Sequence, residues 1–229
     1  MPNTDIPWDS IFSILEGWQK SIAETGVELP SVSSLSLETQ AHKNRAWVVL
    51  VSTIISLRTK DEVTLTSSRR LLAQGPTPEA LLQLDKDTVA RLIYPAGFYR
   101  TKAEQLLKIA DLVVNSYQGR VPDSMEALLS LPGVGRKTAN LVLSEGFNQD
   151  AICVDTHVHR ICNRTGWVST KTPDETEQVL RKLLPGPYWR RINWLLVLFG
   201  QSICRPQSPF CSCCPLAVFC ERQGVVKSR

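Results

Sequence analysis

The residues of this chain that could carry chemistry are one lysine beside a glycine bend and a group of cysteines near the C-terminus. The lysine is Lys137, in the run Leu131-Pro132-Gly133-Val134-Gly135-Arg136-Lys137-Thr138-Ala139. Residues 123–130 before it read as a helix, with Asp123 as N-cap and Glu126 at the capping-box position. Ala139, Val142, Leu143 and Phe147 follow at i, i+3, i+4 and i+8, one apolar face of a second helix. Pro132 ends the first helix, and Gly133 and Gly135 permit backbone angles that a side chain forbids. Such a hairpin turns backbone N–H groups outward, and the helix dipole there also favours an anion such as phosphate. Lys137 is off the apolar face, so packing does not require it. The positive end of a helix disfavours its charged form, and a neutral amine is a nucleophile that can form a Schiff base. An ordinary turn with a solvated lysine is the competing reading, and spacing alone does not exclude it.

Seven cysteines stand at 153, 162, 204, 211, 213, 214 and 220. Five fall within the last 26 residues, and Cys204, Cys211, Cys214 and Cys220 form the spacing C-x6-C-x2-C-x5-C. Such density in an intracellular chain argues for a metal rather than disulfides. Four thiolates suit a [4Fe–4S] cluster or a zinc ion. Zinc usually takes two separated C-x2-C pairs, whereas this set has one close pair and two outlying members, which favours the cluster. Cys213 competes with Cys214 for the inner position. Cys153 and Cys162 read as core residues.

The elements that must position these groups read as helices. Trp8, Ile11, Phe12, Leu15 and Trp18 share one side of a helix over 7–24, and the Ser- and Pro-rich stretch 25–37 reads as a loop. Residues 42–57 are apolar on nearly all sides. Their length favours a buried helix, with a strand as the alternative. A helix over 61–73, short helices over 77–84 and 85–94 capped by Thr77 and Asp85, and a break at 94–99 come next. Ala103, Leu106, Leu107, Ala110, Val113, Val114 and Tyr117 fit a long helix. Past the hairpin and a break at 146–150, Asp155 would cap a helix reaching about Arg164. Thr172 opens another with Pro173 at its first position, and 189–203 form the last long one. The fold class is all-α, about ten short helices.

The formal net charge is +4. Residues 1–149 carry 15 Lys and Arg against 16 Asp and Glu, and residues 150–229 carry 11 against 6. A basic C-terminal third suggests a polyanionic partner. Thiolate ligation to an iron–sulfur core would lower the working charge to about +2, so affinity for nucleic acid must come from a local patch. Residues 1–10 lack the basic and apolar regions of a signal peptide, and the longest apolar run, 194–199, is far below the ~20 residues that span a bilayer. The expectation is a cytoplasmic protein, nucleoid-associated, with no membrane contact.

Taken in order, LPGVGRKTA, then Val154-Asp155-Thr156-His157-Val158-His159-Arg160, then the four-cysteine loop, this chain resembles the endonuclease III family of DNA glycosylases. The similarity covers roughly residues 40–222. It implies a two-domain helix-hairpin-helix glycosylase fold, with a six-helix domain over 39–149 and an iron–sulfur domain from 1–38 and 150–229. It implies a base excision repair enzyme, a monomer that removes oxidised pyrimidines from duplex DNA and cleaves 3′ to the abasic site. Lys137 matches the family's nucleophile and Asp155 its catalytic aspartate, while Cys204, Cys211, Cys214 and Cys220 match the ligands of its [4Fe–4S] cluster. Gly133, Gly135, Arg136 and Thr138 of the hairpin, with His157, would contact DNA. His157 and His159 read as structural or phosphate-contacting rather than catalytic. Many members have Gln where this chain has Arg58, the residue that fills the hole left by a flipped base. Arg can fill the same gap by stacking and hydrogen bonding. Phe98 stands where the family offers an apolar wedge, with a core aromatic as the alternative. Mismatch glycosylases that carry the cluster lack a lysine at 137, and a non-catalytic DNA-binding module would need neither Lys137 nor Asp155.

Overall fold

The computed structural model describes residues 6–27, 29–39 and 44–229, and among these it contains twelve α-helices and no strand. The chain divides into two compact units, Pro30–Ala151 and the pair Met1–Leu29 with Ile152–Arg229. No described helix is long and apolar enough to cross a membrane.

The terminal unit begins with α1 (Trp8–Ala23), which buries Trp8, Ile11, Phe12 and Leu15. These pack on α10 (Thr156–Thr165), α11 (Pro173–Leu183) and α12 (Ile192–Ser202), whose buried stripes include Ile161, Leu180 and Phe199. Phe12 stacks on Tyr188 at 4.1 Å between centroids, and Trp8 meets Trp167 edge-on at 5.2 Å. Arg191 lies over both Phe12 and Tyr188 and pairs with Glu16, so the N-terminal helix is pinned to the C-terminal segment. The last long helix starts at Ile192 rather than 189, because Gly186–Tyr188 take a 3₁₀ turn after Pro185. Cys153 and Cys162 are buried, and burial pushes the Cys162 thiol far above its ordinary range, as a core cysteine should be.

The other unit is built on α3 (Arg45–Ser56), buried at every position from Trp47 to Ile55. Of the stretch expected from 42, residues 42 and 43 lie outside the described residues. Its neighbours are α2 (Ser31–Glu38), α4 (Asp61–Gln74), α7 (Tyr99–Tyr117) and α9 (Arg136–Leu141) with the π turn Val142–Gly146 that follows it. Between α4 and α7 lie α5 (Pro78–Leu81) and α6 (Lys86–Ile93), capped by Thr77 and Asp85 as their sequences predict. Ala103, Leu106, Ala110 and Val113 of α7 are buried as expected, but Ile109 joins them while Leu107, Val114 and Tyr117 stay partly exposed.

Helix α2 corrects the loop expected over 25–37. Serine is a poor helix former because its hydroxyl competes for the backbone, yet here the hydroxyls find distant partners. Asp61 accepts from the Ser31 N–H at 3.0 Å and hydroxyl at 2.7 Å, supplying the N-terminal cap that Pro30 cannot. Ser33 donates to the Glu145 carboxylate at 2.7 Å and Ser36 to its backbone carbonyl at 3.2 Å. Residues 31–38 thereby belong with 30–151, whereas the resemblance put a boundary at 39.

Burial raises the Glu145 pKa, against the opposing pull of Ser33 and Arg45. A carboxyl raised in this way favours the fold fully at and below the usual carboxylate range, and the contribution is lost as pH climbs through the raised value. Glu145→Gln keeps an acceptor for Ser33 and has no such dependence. Thermal melting should show the variant equal to the parent near pH 4 and more stable at pH 8.

Candidate active site

In the unit of residues 30–151 the hairpin joins α8 (Met125–Ser130) to α9. The cap of α8 is Ser124, whose hydroxyl accepts from the Ala127 N–H at 3.3 Å, one residue later than the Asp123 expected. Gly133 has φ +69°, and a Cβ there would lie 2.2 Å from the Gln105 amide that donates to the Pro132 carbonyl. The backbone angle therefore requires glycine at 133, and a side chain there would also have to displace the end of Gln105. Gly135 differs from expectation: its φ of −96° suits any residue, and a Cβ would meet nothing within 4 Å. Arg136 and Lys137 are half-buried in the first turn of α9, whereas Thr138 is buried at 3 % and its side chain belongs to the packing. The second helix stops at Leu141, short of the Ala139-to-Phe147 stripe, because Val142–Gly146 widens into the π turn that carries Glu145 inward.

The same unit brings Arg58 and Phe98 together. The Arg58 guanidinium lies 5.6 Å from the Phe98 ring centroid, and the ring is 63 % exposed. That decides between the two readings of Phe98: it is not a core residue. Both residues have left-handed backbone, at φ 52° and 57°. Behind them Lys102 is buried at 4 %, and burial pushes its pKa down to about 8. The sequence reading missed it, although the signal was there. Lys102 shares the stripe of Leu106, Ile109 and Val113, where a lysine is out of place.

In the terminal unit, Asp155 caps α10 as predicted. Its Oδ1 accepts from the His157 N–H at 2.8 Å and the Val158 N–H at 2.9 Å, and Oδ2 takes no part in the cap. The His157 ring rests against Gly200, where a Cβ would come within 2.4 Å of Nδ1, and Arg160 reaches the same nitrogen at 3.1 Å. His159 meets the Thr176 hydroxyl at 2.7 Å, a structural contact.

Cys204, Cys211, Cys214 and Cys220 line one small cavity, walled by apolar groups such as Ile161, Phe199 and Leu216. Cys213 is exposed and outside it. Among the described residues no three His, Cys, Asp or Glu converge closely enough to hold a single metal ion. Burial pushes the Cys214 thiol up to about 11 and raises Cys220, and the neighbouring cysteines add to both. Apolar walls thus resist free thiolates, which a bound cation would compensate. Donors also face the sulfurs: Arg164 Nη1 stands 3.5 Å from Cys204 Sγ, and the Arg222 N–H 3.4 Å from Cys220 Sγ. Four sulfurs around one cavity, with N–H groups aimed at two of them, fit a cluster.

A family model described as HhH-GPD superfamily base excision DNA repair protein matches residues 51–186. The chain is 52 % identical over 173 residues to Endonuclease III of Thermotoga maritima, covering 76 % of this chain and 81 % of that protein. It is 46 % identical over 187 residues to Endonuclease III homolog 2, chloroplastic, of Arabidopsis thaliana, covering 78 % of this chain and 48 % of that one. A solved structure of a trapped Endonuclease III–DNA covalent intermediate superposes with a TM-score of 0.77 at 30 % identity, covering 95 % of this chain and 97 % of that chain.

Proposed function

The chain belongs to the endonuclease III family of base excision DNA repair proteins, and from that premise we propose that it is a DNA glycosylase and abasic-site lyase acting on oxidised pyrimidines. Its partner is duplex DNA with a damaged base or an abasic site, bound by a monomer at the nucleoid. The observation that carries this reading is the hairpin, with Gly133 at its bend and Lys137 half-buried at the second position of the following helix. The covalent intermediate trapped between a relative and DNA supports a nucleophilic step rather than direct hydrolysis.

The damaged nucleotide leaves the base stack, because its C1′ cannot be reached inside the duplex. Arg58 and Phe98 take up the space it vacates. The neutral Lys137 amine attacks C1′. The bond from C1′ to the base breaks, and the base departs with that electron pair and takes up a proton. Opening of the sugar ring leaves an imine between C1′ and Nζ. Loss of a proton from C2′ then expels the 3′ phosphate and cuts the strand, and water releases the amine. Asp155 offsets the positive charge that develops at the sugar and can accept a proton.

Cys204, Cys211, Cys214 and Cys220 would hold a [4Fe–4S] cluster, which when bound supplies iron–thiolate bonds that tie residues 204–220 into one loop. Cys213→Ser should keep about four irons per chain and the visible absorbance, while Cys214→Ser should lose most of both. The opposite pattern would exchange their roles, and metal analysis returning one zinc would refute the cluster.

Borohydride added during reaction with a duplex carrying an oxidised pyrimidine tests the whole reading. The expected result is a covalent protein–DNA adduct and a cut 3′ to the lesion. Tight binding without an adduct would leave only a DNA-binding module.

A further inference from the structure

One buried cation is unexplained by packing. A methionine or leucine at 102 would fill the same stripe of α7 with no charge to desolvate. Lys102 instead uses all three of its N–H donors. They reach the carbonyls of Ile55 at 2.6 Å and Leu57 at 2.5 Å and the Thr59 hydroxyl at 2.9 Å. Ile55 and Leu57 close the C-terminus of α3, where carbonyls lack helical partners and the dipole welcomes a cation. Its own backbone N–H donates to the Phe98 carbonyl at 3.0 Å. That bond is the opening i→i−4 bond of α7, which any residue at 102 would make, so it is the Lys102 side chain that ties the loop carrying Arg58 to the helix beginning at Phe98.

Two further contacts join the same loop to the turn carrying Phe98. The Gly97 N–H donates to the Thr59 hydroxyl at 3.1 Å. A Cβ at Gly97 would lie 2.4 Å from the Arg58 carbonyl oxygen, so the two backbones run in close contact. Arg58 and Phe98 each hold a left-handed conformation that non-glycine residues avoid, and neighbouring structure must enforce it.

The geometry points to Lys102 as the positioning residue of the wedge: it locks the 55–59 loop to the 97–98 turn and so sets where Arg58 and Phe98 meet the DNA. This rests on the reading that Arg58 and Phe98 enter the base stack at the lesion. Lys102 touches no substrate in it; it acts through the pair.

The test is a coupling measurement. Base release from a duplex with a paired oxidised pyrimidine is followed for the parent, Lys102→Met, the double variant Arg58→Ala/Phe98→Ala, and the triple. Lys102→Met should slow base release by about tenfold in the parent, since a displaced wedge loses orientation. In the double variant the same substitution should change the rate less than about twofold, because the groups it positions are gone. A mere loss of stability would lower both backgrounds alike, and that result overturns the inference, as does no change in the parent. If the double variant releases base as fast as the parent, the wedge reading itself fails. Thr59→Val, which removes the shared hydroxyl, repeats the comparison should Lys102→Met not fold, and Thr59→Ser should restore parental rates.

Discussion

Lys137→Gln is expected to abolish strand scission and the borohydride-trapped adduct while leaving affinity for duplex DNA nearly unchanged. Glutamine has similar reach and suits a helix, and α9 is anchored by Thr138, Ala139 and Leu141 rather than by Lys137. The hairpin bend depends on Gly133, which the substitution does not touch. What glutamine lacks is a basic nitrogen lone pair, so no imine can form. Removing the nucleophile from an enzyme that works by covalent chemistry costs on the order of 10³-fold or more. Lys137→Arg separates charge from nucleophilicity, since a guanidinium keeps the positive charge but is never deprotonated at working pH. Arginine should bind DNA as the parent does and still give no adduct. Scission at parental rate by either variant would remove Lys137 from the chemistry.

The parts of this molecule that were legible in its sequence are those whose causes are local. Asp155, Thr172, Asp85 and Thr77 each stand one residue before a helix and accept from its first turn, and each was readable from residue type and position alone. The cysteine spacing was readable too, but it left Cys213 in competition with Cys214, and it was the family resemblance that chose Cys214; Cys204, Cys211, Cys214 and Cys220 share a cavity while Cys213 does not. What failed depends on partners far along the chain. Ser31, Ser33 and Ser36 are loop-formers until Asp61 and Glu145, 30 and more than 100 residues away, satisfy their hydroxyls. The π turn after α9 has the same origin. Gly146 lies 3.0 Å from the Ala46 Cα by its would-be Cβ, and Glu145 turns inward to Ser33. An apolar stripe drawn at 3.6 residues per turn had no means of seeing either contact. Lys102 is a third kind of case. Its place on a buried stripe was visible, but the loops it joins were not, because 55–59 and 97–98 meet only once α3 and α7 have packed.

Asp155 poses the sharpest remaining question, because its cap alone would account for its place in the chain. Asp155→Asn divides the two roles. Asparagine caps a helix about as well as aspartate, so the bonds to the His157 and Val158 N–H groups should survive. The variant loses the favourable charge at the start of α10, at a cost of about 0.3–1 kcal/mol, and should melt only slightly below the parent. Catalysis is a different matter. A neutral amide cannot accept a proton or offset cationic character at C1′, and losing such a group costs about 10²–10⁴-fold. Asp155→Ala removes the cap as well, and should add a stability loss of about 0.5–2 kcal/mol to the same defect in rate. Equal slowing in the two variants, with a melting loss concentrated in alanine, is the signature of a carboxylate that both caps and catalyses. Were Asp155→Asn to work at the parental rate, Asp155 would be a cap and nothing more, and Lys137 would have to act without it.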